Sequence, residues 1–202
     1  MMIQSLPHGV ALTAHPQARS PWVHGVQARL AAAPGGCLAL TFSLAGELPR
    51  LRIPHSLPSS QADGLWRHTC FEVFVAVKGE TAYAELNLAP SGRWAAYAFR
   101  GYRDGAPLPQ EMNPEIAVRR FPPGLELDAV VRLDRLLPLR RDSGLLRLGL
   151  SAVVEDEAGV LSYWAIAHPP GVPDFHHPHA FALEIDAPGM RVISDPTEGV
   201  SP

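Results

Sequence analysis

The chain of 202 residues has only two cysteines, Cys37 and Cys70, far apart and in no CxxC pair. That excludes a disulfide scaffold and the usual zinc-binding spacings. Lysine is nearly absent. Lys78 stands alone among 17 basic residues, the rest being arginine, and the net charge is −3. Without a basic footprint, nucleic acid and anionic membrane surfaces are excluded as partners. Charged residues make up 18%, below the roughly 25% of an average globular chain, which rules out a disordered polyelectrolyte. No apolar run approaches the ~18 residues of a membrane span. The N-terminal MMIQSLPHGVALTAHPQ lacks the basic start and apolar stretch of a signal peptide. The expectation is a soluble cytoplasmic protein. Catalytic signatures are missing too: there is no GxSxG, GxxxxGK[ST], GxGxxG, HExxH or CxxCH.

Proline (21) and glycine (17) are abundant, and few windows between them could hold a three-turn helix. Apolar residues at 47% suffice for a core. They come in short stretches separated by turn signals, the pattern of an all-β sandwich or barrel. Strands are expected at 22–30, 37–44, 49–53, 69–77, 81–88, 93–100, 115–121, 125–133, 145–154, 160–167 and 180–186. LELDAVVRLDRLL alternates with period 2 better than 3.6, leaving one helical turn at 134–137. One β-sandwich domain of about ten to twelve mostly antiparallel strands over 21–186 follows. Residues 1–20 and 187–202 read as loosely held ends. Long strand-poor stretches at 54–64, 101–114 and 168–179 are where a sheet scaffold usually binds ligands.

Alternation also assigns faces. In 70–77 the odd residues Phe71, Val73, Val75 and Val77 are apolar, so Glu72 points the other way; in 81–88 the phase flips and Glu85 joins Glu72. A hairpin that keeps apolar with apolar needs a loop of even length. Lys78-Gly79 provides one, and that register sets Phe74 against Tyr83, Glu72 against Glu85 and Cys70 against Asn87. Two like charges side by side need an offset: a cation, an arginine such as Arg103, or a hydroxyl-rich ligand. Extending the phase backwards adds Trp66 and His68 to this face. Aromatic and acidic groups together suit sugar, whose C–H faces stack on rings while its hydroxyls donate to carboxylates. The same two glutamates could serve a glycosidase, which needs paired carboxylates.

The run HPPGVPDFHHPH offers a second chemistry. His168, Asp174 and His176 could assemble a loop metal site, since imidazole and carboxylate are good ligands. The plainer reading has these side chains bonding backbone in a proline-pinned loop. Haem is a further possibility through a histidine or methionine axial ligand.

LWRHTCFEVFVAVKGETAYAELNLAPSGRWAAYAFRGYRDG and SYWAIAHPPGVPDFHHPHAFALEI resemble the bacterial DOMON-like proteins. These are similar to family nine carbohydrate-binding modules and to haem- or sugar-binding DOMON domains. The more specific motif is the acidic strand and hairpin followed by Asn87-Leu-Ala-Pro90-Ser-Gly92 and an aromatic strand. The resemblance implies a jelly-roll-like β-sandwich whose concave sheet holds a small ligand between aromatics, drawn here from Trp66, Trp94, Tyr102 and Trp164. It supplies no catalytic residues. The expected pocket therefore collects Trp66, His68, Glu72, Glu85, Asn87, Trp94, Tyr102, Arg103 and Trp164, and the expected function is non-catalytic binding of a saccharide. A haem- or metal-binding domain and an enzyme acting on a sugar or related metabolite are the alternatives.

Overall fold

Short β-branched and aromatic runs, punctuated by proline and glycine, fold into strands, some joined by tight turns and others by long connections such as 47–59 and 166–182. The computed structural model describes residues 9–108, 112–136, 144–186 and the backbone of 191–194. In chain order the strands are β1 (Val10–Ala14), β2 (Val23–Ala33), β3 (Cys37–Gly46), β4 (Ser60–Gln61), β5 (Cys70–Val77), β6 (Tyr83–Leu88), β7 (Arg93–Gly101) and β8 (Asp104–Pro107), then β9 (Glu115–Phe121), β10 (Gly124–Arg132), β11 (Leu145–Glu155), β12 (Leu161–Ala165), β13 (Leu183–Asp186) and β14 (Arg191–Ser194). One helical turn, α1, spans Leu133–Leu136. The protein is all-β. The strands run β4-β7-β6-β5-β11-β12-β1-β2-β3-β10-β9 in one curled sheet, with β8 on β7 and β13 and β14 beside β11. Every pairing among the described residues is antiparallel except β4 on β7, so the sheet is mixed.

β1 makes the curl. Val10–Leu12 pairs with β2 while Thr13 and Ala14 pair with β12, so one short strand belongs to both halves. It lies in the stretch expected to be a loose end, yet Val10 and Leu12 are buried. β4 and β8 fall in the stretches 54–64 and 101–114, expected to be strand-poor, β14 falls in the expected tail, and 49–53 departs the other way. Pro49 sits in a 3-10 turn at Leu48–Arg50, and only Leu51 makes a bridge, to Asp156. Proline cannot donate to a ladder, which is why the apolar spacing there did not become a strand.

The two halves close on each other with strict alternation. Leu38, Leu40, Phe42 and Leu44 of β3 and Leu125, Leu127, Ala129 and Val131 of β10 meet Phe71, Val73 and Val75 of β5 and Ala84, Leu86 and Leu88 of β6 in one apolar core. Phe42 stacks on Phe71 across it, with ring centroids 4.9 Å apart. Between β6 and β7 the chain turns at Gly92, which has φ +83 and the carbonyl of Leu57 where a Cβ would be. No helix of the described residues is long and apolar enough to cross a membrane.

Phe71 is fully buried against Phe42. Phe71→Ala is expected to cost about 3–5 kcal/mol in urea unfolding. Phe71→Asp is expected to abolish the cooperative transition, because a buried unpaired carboxylate finds no partner there. A cooperatively folded Phe71→Asp variant would contradict this packing.

Candidate functional site

The face of β5 and β6 that turns away from the main core carries the polar residues. The register is two residues longer in the loop than the sequence suggests. Glu72 pairs with Asn87 and Phe74 with Glu85, so the two glutamates are diagonal neighbours and not directly opposed. The parity survives because a four-residue loop is as even as a two-residue one, and both glutamates still share a face. Continuing outward, Tyr97 of β7 pairs with Glu85 and Phe99 with Tyr83. On the other side Ser151 of β11 pairs with Glu72, and Tyr163 of β12 with Val153.

The segment that follows β12 covers part of this face. Phe74, Tyr83, Val153, Phe175, Ala180 and Phe181 form a second apolar cluster there. The Arg147 guanidinium ties the loop down by donating to the carbonyls of Pro178 and Phe181. Gly149 permits the approach, since a Cβ at that position would meet the Ala180 carbonyl at 3.2 Å and Phe74 Cβ at 3.3 Å. His176 lies edge-on to Phe74 and Phe99, each at 5.1 Å, with its Nδ1 2.9 Å from the Tyr83 hydroxyl. Asp174 accepts from the Tyr102 hydroxyl at 2.8 Å, from Arg103 Nη2 at 2.9 Å and from the backbone N–H of His176 at 3.1 Å. Asp174 bonds the loop's own backbone, as the proline-pinned reading expected, and Tyr102, Arg103 and Arg147 tie the loop to the rest of the fold. Arg103 holds a left-handed φ of +57, which costs a non-glycine residue roughly 1–2 kcal/mol; its backbone N–H donates to the Tyr83 hydroxyl at 3.1 Å.

Between loop and sheet remains a pocket of about 480 Å³. Glu72 and Glu85 line it together with the rings of Tyr97, Phe99, Tyr163 and Phe175, and Trp66, Arg67, Arg103 and His176 also contribute. Glu72 is 3% and Glu85 4% exposed. The Cys70 thiol donates to Glu72 Oε1 at 3.3 Å and the Ser151 hydroxyl to Oε2 at 3.4 Å; the Asn87 amide donates to Glu85 Oε1 at 2.7 Å. Burial pushes both carboxyl pKa values well above the ordinary 4.5, and the charge of Glu85 pushes Glu72 further. Burial lowers His176 to about 4, with Arg103 adding to the effect, so its ring is neutral at physiological pH. The Tyr97 hydroxyl donates to Asp63, which fixes the ring at the pocket wall.

Of the residues expected in the pocket, the structure brings together Trp66, Glu72, Glu85 and Arg103 in the lining. Asn87 and Tyr102 stand outside the lining, Asn87 bonded to Glu85 and Tyr102 to Asp174. Three others lie elsewhere. Trp94 and Trp164 point into the main core. His68 follows a 3-10 turn at Leu65–Arg67 and not a strand. Its Nδ1 is 2.7 Å from Glu155 Oε2, in a separate pocket of about 710 Å³ with Arg52. The metal trio is not assembled either. His168 Nε2 faces the Thr13 carbonyl at 2.8 Å, Asp174 holds Arg103, and His176 sits under Phe74 and Phe99. Among the described residues no three His, Cys, Asp or Glu side chains are placed to hold a metal ion. Tyr97, Phe99, Tyr163 and Phe175 were not anticipated.

The overall shape has a solved counterpart. A "putative carbohydrate-binding protein" from Bacteroides uniformis ATCC 8492 matches 85% of this chain and 82% of its own, with a TM-score of 0.62 and 17% identity. At that identity the likeness is one of fold. No protein-family model and no curated protein matches the sequence.

Raised carboxyl values predict a definite pH dependence. A group whose folded pKa lies above its unfolded value stabilises the fold fully below the unfolded value of 4.5 and loses that contribution as pH rises through the folded one. Glu72→Gln removes the loss. The variant is expected to gain on wild type in chemical unfolding between pH 5 and 8, by up to about 1.4 kcal/mol per pH unit. A difference that stays constant over this range would show that Glu72 ionises freely.

Proposed function

We propose that this chain is a non-catalytic binding domain that takes a small carbohydrate-like ligand in the pocket over β5 and β6. On this reading its fold is the jelly-roll-like β-sandwich of the DOMON-like proteins. One observation carries the proposal: four aromatic rings stand around two buried carboxyls in a pocket of saccharide size. The rings of Tyr97, Tyr163 and Phe175 suit the C–H faces of a pyranose, Phe99 being stacked on Tyr83, and the carboxyl and hydroxyl groups suit its hydroxyls. Trp66, 47% exposed, supplies a further ring at the mouth. The label carried by the Bacteroides protein of similar fold agrees with the reading. A polyphosphate is a poor fit, because Arg103 is already held by Asp174. Acid–base chemistry on a sugar is the second reading, since burial keeps protons on Glu72 and Glu85.

Tryptophan emission gives the test. Trp94 and Trp164 are buried in the core and Trp22 packs against it, so Trp66 is the reporter at the pocket. Titration with mono- and disaccharides is expected to shift the emission with a micromolar to millimolar Kd. Trp66→Phe should abolish most of the signal, and Tyr163→Ala should weaken binding up to about tenfold. A full panel without response at tens of millimolar would contradict the proposal. Release of nitrophenol from aryl glycosides would move it to the second reading.

A further inference from the structure

Neither carboxyl has an ion-pair partner: the Arg103 charge favours ionisation of both, but from beyond salt-bridge distance and with its guanidinium bonded to Asp174. Glu72 accepts only from a thiol and a hydroxyl, both at long distance. Glu85 Oε1 accepts from an amide, and its Oε2 has nothing closer than His176 Nε2 at 3.7 Å, a ring that is neutral at physiological pH. Among the described residues no arginine or lysine lies within salt-bridge distance of either. The cations at hand are engaged. Arg103 is 2.9 Å from Asp174 and also reaches the Tyr102 hydroxyl. The Arg67 guanidinium sits over the Trp66 ring at 4.9 Å. Beside Glu85, the Oδ1 of fully buried Asn87 has no donor at all. Two carboxyls therefore share the pocket without a cation in salt-bridge contact, with an unsatisfied amide oxygen behind them, and the rings of Tyr97, Phe99, Tyr163 and Phe175 line the pocket with them.

An aromatic enclosure with anionic groups at its floor is how proteins recognise a positively charged nitrogen. Resting on the saccharide reading above, we infer that the preferred ligand of this pocket is an amino sugar whose free ammonium group meets Glu72 and Glu85 while the aromatic walls hold the sugar ring. A neutral sugar brings donors but no charge and leaves the pair dependent on its own protons. An ammonium replaces those protons, so binding expels a proton to the solvent. The groups that face the pair bear on this exchange. They are Cys70 from β5, Tyr83 from β6, Tyr97 from β7 and Tyr163 from β12, none of which ionises near neutrality, and His176, Asp174 and Arg103 from the loop and turn, which keep one charge state there.

Calorimetry with glucosamine, N-acetylglucosamine and glucose at about pH 7 tests the inference. Glucosamine is expected to bind at least tenfold tighter than the other two. Its apparent enthalpy is expected to change with the ionisation enthalpy of the buffer, which reports proton release. In Glu72→Gln/Glu85→Gln, confirmed folded by circular dichroism, the ratio between glucosamine and N-acetylglucosamine is expected to fall to near one. Glucosamine binding no tighter than its acetylated form, with glucose still bound, overturns the inference and leaves the saccharide reading standing. Binding of methylammonium but of no sugar overturns the saccharide reading and upholds recognition of the cation. Binding of neither overturns both.

Discussion

Burial of the central hairpin on both faces sets the chemistry of the whole molecule. Phe71, Val73 and Val75 lock one face of β5 into the main core, while Phe74 on the other packs under Phe181 and His176. A sheet with one wet face would let Glu72 and Glu85 ionise in solvent. Here the segment after β12 replaces part of that solvent with apolar side chains, and neutral donors on the strands themselves, the Cys70 thiol and the Asn87 amide, supply the hydrogen bonds. The desolvation cost then falls on the carboxyls, and it raises the pH at which each gives up its proton.

The loop can do this because its own polar needs are met locally. Asp174 satisfies the backbone of His176 and fixes Arg103, and Arg147 caps the carbonyls of Pro178 and Phe181. Arg103 is consequently held at the pocket by a carboxylate other than the two that most need it. A binding site that leaves its strongest acceptors unmatched is a site shaped for donors brought by a ligand.

Much of this was legible in the sequence. Alternation in 70–77 and 81–88 placed Glu72 and Glu85 on one face opposite Phe71 and Leu86, and the structure keeps that separation. Hairpin length was not legible, since Lys78-Gly79 reads as a two-residue turn while β5 ends at Val77 and β6 begins at Tyr83. The same parity would have found the missed rings. In β7, Trp94, Ala96 and Ala98 share one phase and Tyr97 and Phe99 the other; in β12, Trp164 is core and Tyr163 is its opposite. The family resemblance pointed to Trp94 and Trp164 as ligand-holding aromatics, and both fill the core. Phe175 and the placement of Arg103 depend on a loop crossing the sheet, and no local period encodes such a contact. The N-terminal strand β1 was missed because five residues between prolines give too short a pattern to count.

Carboxyl titration by NMR with 13C-labelled glutamate addresses the unmatched pair most directly, with Glu72→Gln and Glu85→Gln assigning the resonances. Two side chains are expected to titrate well above the remaining glutamates, the pair holding at least one proton at neutral pH. If both instead ionise with the others near the ordinary value of about 4.3, the pair is compensated or solvated, and the chemistry drawn from its burial fails.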